Sequence, residues 1–362
     1  MDGGQNVPYQ IPTQWIERSQ DHIVVSFNYR VNIFGFPNAA GLDDQNLGIL
    51  DQRLAIQWIQ QNIKAFGGDP ERLTLWGQSA GAMSVDFYNY AYYENPIVKG
   101  LIEDSGDAFL PIRSYDTRHS NFSFVASKVG CAGLASNASA QLSCMRNVSA
   151  STIETFLQQY NNNGTTPAVS FVPIADEKII FSNYTARALA GKLSKLPAIV
   201  GNNAQDGEAF APYNLVNPRQ GPNQTLAEAA LLSTFVCPTT ETVRLRTSQN
   251  QTVYRYLYSG NFSNIATESW LGAYHSAELP LLFGTFDNFR GQGPALENAT
   301  SVAMQDAWVA FAKNGGKGLE NTGWNSYMLG QGDVREFGAG VPVQDTSLAA
   351  LEGMCNGALP VS

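Results

Sequence analysis

The sequence predicts an α/β domain with a mainly parallel central sheet and helices on both faces. Three observations predict it. Apolar, β-branched runs recur along the chain, stretches with apolar residues at three- and four-residue spacing alternate with them, and one such run leads through a glycine-flanked serine into a helical pattern. At 362 residues, with 44% apolar and 15% charged side chains, the chain has the material for a large buried core.

In order, HIVVSFNYRV (22–31) is nearly continuous in β-branched and aromatic residues, the pattern of a strand buried on both faces. LGILDQRLAIQWIQQNIKAF (47–66) spaces Leu47, Leu50, Leu54, Trp58 and Ile59 as one apolar helical face, and Gly67 and Gly68 end it. RLTLW (72–76) is the next strand, and AGAMSVDFYNYAYY (80–93) begins a helix. VKGLIEDSG (98–106), KLPAIVGNN (195–203) and TVYRYLYS (252–259) supply further strands. Residues 110–190 are helical in pattern and rich in cysteine and glycosylation signals, as an insertion covering one end of the sheet would be. In SVAMQDAWVAFAKN (301–314), Met304, Ala307, Trp308 and Phe311 share a face that reads as core. Without repeats, linkers or low-complexity tracts, residues 1–362 read as one domain.

A net charge of −9 and the lack of clustered Lys and Arg argue against nucleic-acid partners, and no run approaches the roughly eighteen apolar residues of a membrane-spanning helix. Nine Asn-x-Ser/Thr sequons, at Asn121, Asn137, Asn147, Asn163, Asn183, Asn223, Asn250, Asn261 and Asn298, exceed the roughly four that random placement gives, and point to secretion. Four cysteines without CxxC spacing fit the same compartment. Pairing Cys131 with Cys144 leaves Cys237 for Cys355; four free buried thiols are the alternative. The opening MDGGQNVPYQIP has neither the basic nor the apolar region of a signal peptide, so an N-terminal part is expected to be missing.

The chemistry centres on LTLWGQSAGAMSV (73–85). A serine hydroxyl is a weak nucleophile until a base removes its proton, and a G-x-S-x-G turn between strand and helix aims it outward. Gly77 and Gly81 would let strand and helix approach, with Ser79 in the strained turn and Gln78 before it. The base must come from three histidines. His22 opens a strand and His119 lies in a polar run beside a sequon, whereas His275 follows the last strand that the sequence announces, 252–259, and a loop. An acid is required between Ser79 and His275. Asp206, just past an apolar strand, is preferred to Glu208 because Gly207 lets the chain turn directly after it.

FNYRVNIFGF, DQRLAIQWIQQNIKAFGGDPERLTLWGQSAGAMSV, GNNAQDG and AYHSAELPLLFG, in this order, resemble the type-B carboxylesterase/lipase family, which includes cholinesterases and fungal extracellular lipases. The resemblance implies an α/β-hydrolase fold with Ser79 as nucleophile, His275 as base, Asp206 as acid where many members carry Glu, and Ser105 behind the triad. It implies disulfides Cys131–Cys144 and Cys237–Cys355, and no cofactor or metal. The family's glycine-rich oxyanion loop is absent: Gly3 and Gly4 resemble sequence downstream of it, which leaves the Ala80 N–H as oxyanion donor. One lost donor costs about a hundred- to a thousandfold in rate. A strand expected between 22–31 and 72–76 is also missing, which would leave two rows of backbone groups unpaired unless the flanking strands close up.

The resulting expectation is a secreted serine ester hydrolase acting on a small-molecule or lipid ester, carboxylesterase and lipase being undivided. Gln78, where cholinesterases carry Glu, argues against choline esters. Tyr88, Tyr90, Tyr92 and Tyr93 either line an acyl pocket or, the simpler reading, pack the helix after the serine. The alternative, given the absent oxyanion loop, is a catalytically impaired or non-catalytic esterase-like binding or adhesion module.

Overall fold

Among the described residues six strands lie side by side in sequence order: β1 (Thr74–Gln78), β2 (Gly100–Asp104), β3 (Ala198–Asn203), β4 (Val253–Tyr258), β5 (Asp333–Phe337) and β6 (Val343–Ser347). The first five are parallel, and β6 runs back along β5. This computed structural model describes residues 6–166, 168–288 and 290–355; Gly3 and Gly4 lie outside them. Helices are α1 (Thr13–Ser19), α2 (Asn32–Gly35), α3 (Leu47–Asn62), α4 (Ala80–Ala91), α5 (Ser120–Lys128), α6 (Ala138–Arg146), α7 (Ala150–Asn162), α8 (Tyr184–Leu189), α9 (Gln224–Ala230), α10 (Cys237–Ser248), α11 (Leu279–Phe283), α12 (Ala295–Asn314), α13 (Gly316–Glu320) and α14 (Leu348–Gly353).

The residues form two compact units, and the division falls inside α3. One unit joins 27–55 to 112–182. Its core packs Phe122, Val125, Ile153 and Leu157 with Ile33 and Ala39, and it holds the Cys131–Cys144 disulfide. The other carries the sheet. Side chains alternate across a strand, so each strand feeds two layers. Ile102, Ile199, Tyr254 and Tyr256 pack with Leu281 of α11 and Met304, Trp308 and Phe311 of α12, the core face expected of 301–314. Leu101, Ala198, Val200 and Val253 pack with Val85 and Tyr88 of α4, Val243 of α10 and Leu351 of α14. Cys237 is bonded to Cys355 in that second layer. Helices thus cover both faces, as a parallel sheet requires.

Three helices start on sequon asparagines. The side-chain oxygens of Asn137, Asn183 and Asn223 accept the N–H groups of Ala140, Ala186 and Leu226 at 3.0, 2.7 and 3.3 Å, capping α6, α8 and α9. Eight of the nine sequon asparagines are exposed, and Asn121 is half-buried.

Three expectations are corrected. Residues 22–31 form no strand, and β1 has β2 as its single ladder partner among the described residues. The side-chain pattern favours an extended chain, but a strand exists only where its backbone groups find a partner. The flanking segments have therefore not closed up, and Ile23 and Val25 are exposed. In α3, Leu54 and Trp58 face solvent; the buried stripe is Ile49, Gln52, Arg53 and Ile56, followed by Ile63 just beyond the helix. Arg and Gln in this stripe hide it from a hydrophobic pattern. Finally, β4 is not the last strand, because β5 and β6 follow, and their polar sequences DVREF and VQDTS carry no apolar run.

The α3 correction has a direct test. Leu54→Ala is expected to change unfolding free energy by no more than about 0.5 kcal/mol. Ile56→Ala should cost about 2–5 kcal/mol by urea denaturation.

Candidate active site

The sharp turn between β1 and α4 fixes Ser79. Its backbone is left-handed in φ (57°, with ψ −120°), strained for a residue with a Cβ, and its N–H is held by the Asp104 carbonyl at 2.8 Å. The close approach at the turn rests on Gly77: a Cβ there would lie 2.2 Å from the Gly81 carbonyl carbon. Gly81 itself has open space around the corresponding position, so the expectation that both glycines are needed for packing holds only for the first. Gly106, which the sequence did not single out, is needed too, since a Cβ there would meet the Ser79 carbonyl oxygen at 2.5 Å.

Asp206 follows β3 and is fully buried. Its Oδ1 lies 2.7 Å from His275 Nδ1, and its Oδ2 accepts the Ser105 hydroxyl at 2.9 Å and the Asn203 N–H at 2.7 Å. Gly207 is not there for a left-handed turn: its φ is −74°, open to any residue. It is needed because a Cβ would meet the Ala227 carbonyl oxygen at 2.0 Å. Glu208 turns elsewhere and accepts from Gln224 at 3.3 Å, with burial raising its carboxyl above the usual range.

The histidine loop is bolted to the acid loop by residues that the sequence reading missed. Gln205 donates its N–H to the Ala273 carbonyl at 3.1 Å and accepts the Ala273 N–H on its side-chain oxygen at 2.7 Å. Asn203 donates its amide to the Tyr274 carbonyl at 2.8 Å and to the buried Glu278 carboxylate. The His275 ring packs beside Phe210 and Phe235, with centroids 5.0 and 4.9 Å away, and the two phenyl rings also touch each other at 5.2 Å. Phe235 lies in the π-helical stretch Leu231–Val236. Single polar residues whose partners lie dozens of positions away leave no local signal.

The imidazole edge facing Ser79's neighbour is occupied. Gln78 Nε2 lies 3.2 Å from His275 Nε2, while among the described residues the Ser79 hydroxyl makes no side-chain hydrogen bond. A carboxylate on Nδ1 and an amide NH₂ on Nε2 are the partners that suit a neutral imidazole with its proton on Nδ1 and its lone pair on Nε2. The other histidines have other partners: His22 contacts the Ser19 hydroxyl at 2.7 Å, and His119 contacts Asn38 at 3.0 Å. Tyr88 and Tyr90 are buried, Tyr90 against Tyr184, which fits packing of α4. Among the described residues no cluster of three or more His, Cys, Asp or Glu is arranged to hold a metal ion, and no helix is long and apolar enough to cross a membrane.

Compared with known families, residues 5–231 and 219–347 match the carboxylesterase family. The chain belongs to the carboxylesterase family. The mainly parallel sheet with helices on both faces is accordingly an α/β-hydrolase fold. Among curated relatives, the chain is 48% identical to a chlorogenic acid esterase of Aspergillus niger over 316 residues, 87% of this chain and 60% of that one. It is 42% identical to secreted lipase 5 of Gibberella zeae over 339 residues, 89% of this chain and 62% of that one. A mouse cholinesterase is 25% identical over 350 residues, covering 83% and 58%. The chain thus spans about three fifths of the length of the two fungal relatives.

Two outcomes check this carboxylesterase-family site. Gly77→Ala is expected to prevent stable folding and Gly81→Ala to preserve it, as read by thermal unfolding. Glu278 is raised from 4.5 to about 7, first by burial and then by the Asp206 charge. The folded chain therefore keeps a proton that the unfolded chain loses above its ordinary carboxyl pKa, and stability from this group falls as pH rises through the window from about 4.5 to 7. Glu278→Gln keeps an acceptor for Asn203 without that proton, so its melting temperature should drop less than the parent's between pH 5 and pH 8.

Proposed function

We propose that this chain is a serine carboxylic-ester hydrolase working through an acyl-enzyme, with Ser79 as nucleophile, His275 as base and Asp206 as the acid that orients it. The observation that carries this reading is the 2.7 Å contact between Asp206 and His275 Nδ1, which leaves the Nε2 lone pair as the proton acceptor. The positive φ of Ser79 at a strand-to-helix elbow supports it, since strain of this kind collects at reacting groups.

In the proposed cycle Nε2 takes the Ser79 proton as the oxygen adds to the ester carbonyl. The Asp206 carboxylate stabilises the imidazolium, with Ser105 and Asn203 fixing its second oxygen. Ala80 is the first residue of α4, so its N–H is one that the helix leaves unpaired and is free to hold the oxyanion. The imidazolium then protonates the leaving alcohol, and water activated by His275 releases the acid. Phe210 and Phe235 give the base an apolar flank, which suits an organic ester. The fungal relatives' names, a chlorogenic acid esterase and a secreted lipase, support ester hydrolysis and leave aromatic-acid and lipid esters both open. The secreted relative and the exposed sequons support secretion.

A fluorophosphonate probe tests the reading on this chain, because it reacts only with an activated serine. Labelling is expected at Ser79 and is lost in Ser79→Ala and His275→Ala. Asp206→Asn should lower the labelling rate by about a thousandfold or more. Labelling that survives Ser79→Ala would remove that residue from its role.

A further inference from the structure

A lone pair on an imidazole nitrogen accepts one good hydrogen bond, and two groups stand next to each other in sequence to offer it. Ser79 must donate its hydroxyl proton to His275 Nε2 for the proposed chemistry to begin. In the structure Gln78 occupies that nitrogen with its side-chain amide at 3.2 Å. The arrangement is held from several directions. Nδ1 is committed to Asp206 at 2.7 Å, the two phenyl rings restrict the tilt of the imidazole, and Gln78 closes β1 in register with Asp104. The titratable groups around the ring are Asp206 and, behind it, Glu278; neither contacts Nε2.

We propose that Gln78 is a positioning residue that latches His275 in the resting state: its amide fills the Nε2 lone pair and keeps the base from Ser79 until the amide is displaced. The proposal rests on the esterase reading for its purpose. It assigns Gln78 a role that its place beside the nucleophile alone does not imply. The latch consumes nothing: one N–H···N hydrogen bond breaks, one O–H···N hydrogen bond forms, and the proton on Nδ1 stays where it is. A neutral amide suits the task because its NH₂ can donate to the lone pair, which a carboxylate cannot. The contact also selects the Nδ1–H tautomer, the one that the base must have at the start of the reaction.

The test uses the full chain with Gln78→Met and Gln78→Leu, which keep the bulk of the side chain and remove its donor. With three histidines in the sequence, ¹⁵N-imidazole spectra resolve the Nε2 of His275. Both variants should move that resonance toward the value of a nitrogen without a hydrogen bond, and both should label with the fluorophosphonate several-fold faster than the parent at unchanged melting temperature. An unmoved Nε2 resonance, or labelling no faster than the parent's, overturns the latch. A parent chain that does not label at Ser79 overturns the esterase reading and the latch's purpose with it. Failure of the latch alone shows as a parent that labels and variants that label no faster.

Discussion

The carboxylate of Asp206 bonds to residues as far as 101 positions away along the chain. One oxygen takes His275, and the other takes the Ser105 hydroxyl at the end of β2 and the Asn203 N–H at the end of β3. Burying a charged carboxylate away from water is costly, and the cost is offset only where donors surround it. Here the donors are the very groups whose placement the site requires. The same contacts that make the burial tolerable also align the ends of two strands with the loop that bears His275.

Beneath this carboxylate lies a second layer of buried ionisable groups that steadies the elbow helix. Glu103 and Asp104 are consecutive on β2 and point to opposite faces of the sheet. On one face Glu103 meets Arg246 of α10, which also binds Asp86 of α4 at 2.9 Å. On the other, Asp104 accepts the Trp76 indole N–H at 2.5 Å. Burial, reinforced by Glu278, pushes Asp104 well above the usual carboxylate range. Asp86 further accepts the Ala108 N–H at 2.9 Å, so the helix after Ser79 is tied to β2, to α10 and to the loop beyond Ser105. Buried pairs of this kind are weak contributors to net stability but leave few alternative arrangements open.

Much of this was legible because it has a local signature. Four of the six strands announce themselves as apolar runs, and Ser79 and His275 stand out by spacing and by scarcity. Asp206 was legible for the wrong reason: its glycine neighbour serves a close helix contact rather than a turn. The rest was illegible because it depends on partners. Residues 22–31 have a strand's side chains but no ladder, β5 and β6 have a ladder but polar side chains, and the α3 stripe is half polar. Gln205, Asn203 and Glu278 gain meaning only once the fold brings the acid and histidine loops together.

The capping asparagines carry a consequence for how this surface tolerates sugar. At Asn137, Asn183 and Asn223 the helix uses the amide oxygen, whereas an N-linked glycan is joined through the amide nitrogen. Decoration and capping therefore draw on different atoms of one side chain. A carbohydrate coat could thicken at these three helix ends while each first turn keeps its hydrogen bond.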